Sequence, residues 1–201
     1  VVYPPADLDA VPDRSAADLP KEEDAFRSAV SDVMEEIERF AVRTAAGLRA
    51  EERALFDAWL LMLESDTLID GTVERIRKGN WAPGALRDTI AEHARVFDSM
   101  DDPYLRERAS DVRDLGRRIL MHLQNLESRP VEYPPGTILV GEEISAMQIA
   151  DVPPAALAGI VSVTGSSSSH VAILARGMGV PAAMGVTDLP VGRIEGLEMV
   201  V

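Results

Sequence analysis

An α/β domain carrying an inserted all-α helical bundle is the architecture this 201-residue sequence predicts. Three observations lead there. Residues 21–129 run in apolar repeats of three and four with few breakers, as amphipathic helices do. Beyond Pro130 the character changes: Gly, Pro, Val and Ile become frequent, and the only cations are Arg176 and Arg193. Within that second stretch a strand-like run, a small-residue loop, a short apolar helix and another strand-like run follow in turn, the order of an α/β unit. The expected domains are therefore 1–20 with 130–201 (α/β) and 21–129 (helical).

Pro4, Pro5, Pro12 and Pro20 make a loop-rich entry, and Val1-Val-Tyr3 is expected to add a strand to the α/β part. Phe26, Val30, Val33, Ile37, Phe40, Thr44 and Leu48 then give one long amphipathic helix. Leu55, Trp59, Met62 and Leu63 give a second. Leu68/Ile69, Val73 and Ile76 give a third, stopped by Lys78-Gly79. Asn80-Trp-Ala-Pro83 is a loop with Pro83 at a first helical position, opening a helix through Leu86, Ile90, Ala94 and Phe97. Leu105, Ala109, Val112, Gly116, Ile119 and Leu123 mark the fifth helix of a short-looped bundle. After Pro134-Pro-Gly136, Thr137–Val140 reads as a buried strand, and Ser145 caps a short helix through Ile149. Strands Gly159–Val163 and Val180–Met184 flank the helix Val171–Met178, which stops at Gly177/Gly179. A last strand is expected at Glu198–Val201.

Charge and composition exclude several classes. A net charge of −14 argues against a nucleic-acid surface or an anionic membrane, and fits a partner with a basic docking face. Without cysteine there is no disulfide and no thiolate metal site, which permits a cytoplasmic home. No signal peptide and no bilayer-length apolar run are present. His93 and His122 lie in helical patterns with no second ligand at metal spacing, so packing roles are expected. The chain starts without Met, and both ends read as cuts through strands, as in a piece of a longer protein.

The most informative stretch is Gly165-Ser-Ser-Ser-Ser-His170-Val-Ala-Ile-Leu-Ala-Arg176. It delivers one histidine onto the first turn of an apolar helix, where loop amides, the helix dipole and hydroxyls converge on one imidazole. A phosphoryl group carried on that side chain would be tolerated there. Ser166, Ser167, Ser168 and Ser169 are candidate hydroxyl donors to it, or simply loop. A serine nucleophile is disfavoured, because no Gly-x-Ser-x-Gly elbow is present.

This segment resembles the phosphohistidine signature of the phosphoenolpyruvate-utilising enzymes. Gly165, Ser168, His170, Ala172, Ile173, Leu174, Ala175 and Arg176 match, and Gly179-Val-Pro-Ala-Ala-Met-Gly185 resembles the family's continuation. Ser166 stands where Gly or Ala is usual, and Val171 where Ser, Thr or Ala is usual. The resemblance implies a swivelling phosphohistidine domain with His170 as the catalytic nucleophile, phosphorylated on Nε2. It also places Gly165, Ser145 and Arg176 in the support of the phosphoryl loop. Ser145 falls where relatives carry a Thr that hydrogen-bonds the active histidine, though a plain N-cap suits it equally. Arg176 matches the motif yet lies six positions beyond His170, off its helical face, which favours a structural charge.

The helical half resembles the Enzyme I branch of that family, in Ala54–Glu64 and in Met100–Leu120. That implies transfer of a phosphoryl group from phosphoenolpyruvate to His170 and on to a histidine of HPr, or of its nitrogen-branch equivalent. Trp59, Leu61, Met62, Tyr104, Leu105 and Arg108 would line the carrier groove, with Glu64 and Asp66 as acidic rim; some must instead be core. The barrel that binds phosphoenolpyruvate and Mg²⁺ would be missing, so no cofactor is expected in this chain. Family members dimerise through that barrel, so a monomer is expected here. The other reading is the swivelling domain of a pyruvate phosphate dikinase or phosphoenolpyruvate synthase, against which the helical insert argues.

Overall fold

The computed structural model describes residues 7–45, 47–124, 133–165, 169–194 and 196–198, without the side chains of 51, 103–107 and 192. The expected strand at Val1–Tyr3 lies outside these residues. So does nearly all of the one expected at Glu198–Val201. Among the described residues, seven α-helices and a three-stranded sheet fall into two compact units.

One unit combines Pro5–Glu38 with Asp57–Pro130. It holds most of α1 (Leu19–Thr44), the second half of α2 (Ala50–Leu63), α3 (Asp66–Arg77), α4 (Ala82–Asp98) and α5 (Pro103–Leu123). The apolar stripe of α1 is buried as its spacing requires, at Phe26, Val30, Val33 and Ile37. Ser65 caps α3, accepting the Leu68 amide on its hydroxyl oxygen at 3.4 Å. At the other end Gly79 N–H reaches Ile76 O at 2.8 Å and Asn80 N–H reaches Arg75 O at 3.1 Å, the paired bonds of a glycine stop. Pro83 is the second residue of α4 rather than the first. The first amide of that helix, on Ala82, donates instead to Glu22 of α1 at 2.7 Å, a cap supplied from 60 residues away. α4 packs on both α3 and α5.

The other unit combines Arg39–Phe56 with Val131–Val201. The helical turn Arg39–Phe56, expected with the bundle, thus clusters with the sheet. β1 (Thr137–Gly141), β2 (Leu157–Ser162) and β3 (Ala182–Met184) pair in parallel in the order β1-β2-β3. The crossovers are α6 (Ala146–Asp151) and α7 (His170–Gly177), which touch one another. A parallel strand covered on both faces should be apolar throughout, and β2 is buried at every residue but Ala158. Its register against β1 shifts by one residue just after Thr137, which leaves Ala158 outside the pairing. Phe40 and Phe56 meet edge to face at 5.3 Å within the same unit.

α1 ends four residues short of Leu48, the last position of its expected stripe. Thr44 turns its hydroxyl back onto the Phe40 carbonyl at 2.9 Å, and Gly47 N–H closes the turn onto Thr44 O. Leu48 is buried from the turn instead.

Candidate active site

The site forms where β2 ends and α7 begins, beyond the carboxyl edge of the parallel strands. That edge is where crossover loops of α/β sheets present their functional groups. The exit from β2 is held tightly. The Glu142 carbonyl accepts three bonds: the Thr164 amide at 2.8 Å, the Thr164 hydroxyl at 2.9 Å and the Ser162 hydroxyl at 3.2 Å. Val163 N–H adds one to Gly141 O at 3.1 Å. Sequence reading did not single out Ser162, Thr164 or Glu142. Their only signal was a pair of hydroxyl residues at a strand end, which is common.

Gly165 follows with φ of +95°, a backbone region that side chains rarely enter. A Cβ there would also lie 2.8 Å from Met184 Cε, the tip of a flexible side chain that would have to swing aside, so the conformation is what demands glycine. Ser166, Ser167 and Ser168 lie outside the described residues. Ser169 is the N-cap of α7: its hydroxyl oxygen accepts the Ala172 amide at 3.3 Å, and its carbonyl accepts the Ile173 amide at 3.0 Å. His170 is therefore the first helical residue, and it is half-buried. The Val171 amide beside it has no acceptor within the helix, as for any second helical residue. Val171, Ala172, Leu174 and Ala175 are buried and anchor the helix. Gly179 N–H to Arg176 O at 3.1 Å and Val180 N–H to Ala175 O at 2.8 Å close its far end.

Arg176 is in the last turn of α7 and exposed, where its charge complements the helix dipole. With Ala172, Val180 and Ala182–Met184 it lines an open cleft of about 500 Å³. His170 is not part of that lining. Ser145 caps α6 reciprocally: its hydroxyl oxygen accepts the Gln148 amide at 3.2 Å, and Gln148 Oε1 accepts the Ser145 amide at 2.8 Å.

The expected carrier-facing residues separate in the helical unit. Trp59 is 3% exposed and belongs to the core, on the same stripe of α2 as Leu55 and Leu63. Leu61, two positions on, faces away and is 67% exposed. Met62 is half-buried, and Glu64 and Asp66 are exposed around the corner into α3. The side chains of Tyr104 and Leu105 lie outside the described residues. Arg108 is half-buried with its guanidinium 3.1 Å from the buried Asp111 carboxylate.

Of the two packing histidines, burial pushes the His93 imidazole below its ordinary range. His122, with its side chain 8% exposed, lies on a cluster that periodicity could not reveal. Its Nε2 is 3.2 Å from Glu36 and its Nδ1 3.7 Å from Asp32, while Arg118 holds the same Glu36 at 2.6 Å. Burial opposes the charge on Glu36, yet the hydrogen bonds and charges of His122 and Arg118 prevail and hold its carboxyl at about 2.

An imidazole is a nucleophile, and at the first residue of a capped helix the helix dipole beside it favours an anion. Known proteins are similar across nearly the whole chain. A family model described as PEP-utilising enzyme, N-terminal, matches residues 1–108, and one described as PEP-utilising enzyme, mobile domain, matches 133–201. A phosphoenolpyruvate-dependent phosphotransferase system protein of Escherichia coli is 34% identical over 91% of this chain and 24% of its own length. A phosphoenolpyruvate-protein phosphotransferase of Staphylococcus aureus is 29% identical over 91% of this chain and 32% of its own length. The chain thus spans only about a quarter to a third of these curated relatives. Among solved structures, the N-terminal domain of Enzyme 1 - Nitrogen superposes with a TM-score of 0.73 at 32% identity, covering 94% of this chain and 77% of that one. An Enzyme I solution structure gives 0.69 at 26% identity, covering 93% and 77%.

Proposed function

The chain belongs to the phosphoenolpyruvate-utilising enzymes, in the N-terminal region of Enzyme I, and on that premise we propose that it relays a phosphoryl group through His170. The observation that carries this is the placement of His170 as first residue of the Ser169-capped helix α7, beyond the carboxyl edge of β2. The Nε2 lone pair of the neutral imidazole attacks the phosphorus of the donor. With phosphoenolpyruvate the P–O bond breaks, and the departing enolate takes up a proton to become pyruvate. On transfer to a carrier histidine, the new P–N bond forms there as the bond to His170 breaks, and the electron pair returns to Nε2. The dipole of α7 favours the phosphoryl dianion once it is carried on His170.

The acceptor is an HPr-type phosphocarrier or its nitrogen-branch counterpart; the likeness to the Enzyme 1 - Nitrogen domain supports the latter. Leu61 and Met62 supply its apolar contact, and Glu64 with Asp66 the acidic rim that speeds encounter with a basic carrier. Among the described residues no three His, Asp or Glu side chains gather as a metal site. On this reading Mg²⁺ and phosphoenolpyruvate belong to the length of the relatives that this chain does not span. The helical half, matched by the N-terminal family model, favours an Enzyme I role over a dikinase role.

The test supplies phosphoryl groups from either side. Phosphorylated HPr-type carrier should label the chain, and phosphoenolpyruvate with Mg²⁺ alone should not. No label from any carrier, or robust label from phosphoenolpyruvate alone, would overturn the proposal.

A further inference from the structure

The far end of α7 is seated without slack on the turn between α1 and α2. A Cβ on Gly177, the last residue of α7, would lie 2.4 Å from Leu48 Cδ2 and 2.9 Å from Glu52 Oε2. A Cβ on Gly47 would lie 3.0 Å from the Gly177 carbonyl oxygen. Carbon contacts settle at about 3.5–4.0 Å, so a methyl group at Gly177 forces a shift of the helix end or of Leu48 and Glu52, while one at Gly47 asks the carbonyl to give by less. The seat is itself fixed. Leu48 is buried, and Glu52 is held by accepting the Arg49 amide at 2.7 Å. Arg43 ties the end of α1 to the last turn of α6, donating to the Ala150 carbonyl at 2.6 Å.

We propose that this seam of Gly47 and Gly177 positions His170. The inference rests on the phosphotransfer reading and names a group of residues that acts on the histidine from the other end of its helix. An eight-residue helix is a rod of about 12 Å, so a shift forced at its last residue is carried to its first. Relieving the Gly177 contact would take about 1 Å, and a misplacement of that size at a reacting atom costs about a hundredfold in rate. Helix, loop and histidine are thus registered by a segment distant in sequence, the turn Gly47–Glu52.

The variants are Gly177→Ala and the double variant with Leu48→Ala, which removes the nearer of the two side chains that the new methyl would strike and leaves only the carboxylate tip of Glu52 to swing aside. Transfer from phosphorylated HPr-type carrier should fall about ten- to a hundredfold in kcat for Gly177→Ala, with the KM for carrier unchanged, and recover most of the loss in the double variant. A wild-type kcat in Gly177→Ala, or no recovery on adding Leu48→Ala, overturns the proposal. If Gly177→Ala fails to fold, Gly47→Ala applies a gentler push on the same carbonyl and should lower kcat in the same direction. NMR of the His170 ring, assigned with His170→Ala among the three histidines, gives a readout independent of transfer. Its ring shifts should move in Gly177→Ala and return in the double variant; shifts that stay put overturn the proposal. Should the wild-type chain take no label, the phosphotransfer reading falls, and the ring shifts still decide the seam.

Discussion

Ser169 Oγ accepts the Ala172 amide at 3.3 Å, and this single cap makes the intervening His170 the first residue of a helix rather than the last of a loop. Removing it with Ser169→Ala should cost about 1 kcal/mol of stability, the usual loss for an N-cap serine. Transfer should slow as well, because the first turn that orients the imidazole frays. A thermal melt beside a transfer assay checks both. A slower rate with an unchanged melt would mean that Ser169 touches the phosphoryl group directly.

Gly165→Ala tests the entry to the same loop. The φ of +95° and the 2.8 Å approach to Met184 act together, so a loss of about 1–3 kcal/mol is expected. Pairing the change with Met184→Ala should recover the steric share and leave the backbone share. Complete recovery would show that the turn tolerates a left-handed alanine.

In the helical unit, Glu36→Gln should lower stability at neutral pH by about 1.5–3 kcal/mol, as for hydrogen bonds to a charged group. The Glu36 carboxyl titrates at about 2 in the folded chain against an ordinary 4.5. Its contribution is therefore complete above about pH 4.5 and is lost as pH falls from there toward 2. Amide exchange along α5, followed from pH 6 to pH 3, should show protection weakening in the wild type through that window. Glu36→Gln should flatten this acid dependence.

Leu61 is one of several exposed apolar residues among those described, and the one that the proposed docking surface uses. Leu61→Ala should leave the melt unchanged and weaken carrier binding by about 1 kcal/mol or more, roughly fivefold in Kd. Calorimetric titration with an HPr-type carrier measures it. Unaltered affinity would move the docking surface elsewhere on the helices.

Local pattern carried the reading wherever the determinant lies within a few residues. The α1 stripe, the Ser145 cap and the helix starting at His170 are all of that kind. Periodicity could not separate Trp59 from Leu61, since both are apolar residues of one helix and only packing decides which faces the core. Partners far apart in sequence left no trace either. His122 finds Glu36 across 86 residues, Glu22 caps Ala82 across 60, and Gly47 meets Gly177 with most of the chain between them.

The most direct test of the account is to map the phosphoryl group after incubation with phosphorylated HPr-type carrier. Nitrogen-15 and phosphorus-31 NMR of the labelled chain should show one acid-labile phosphohistidine, on Nε2 of His170, absent from His170→Ala. Phosphate on His93, on His122 or on a serine of the loop, or label that survives in His170→Ala, would contradict it.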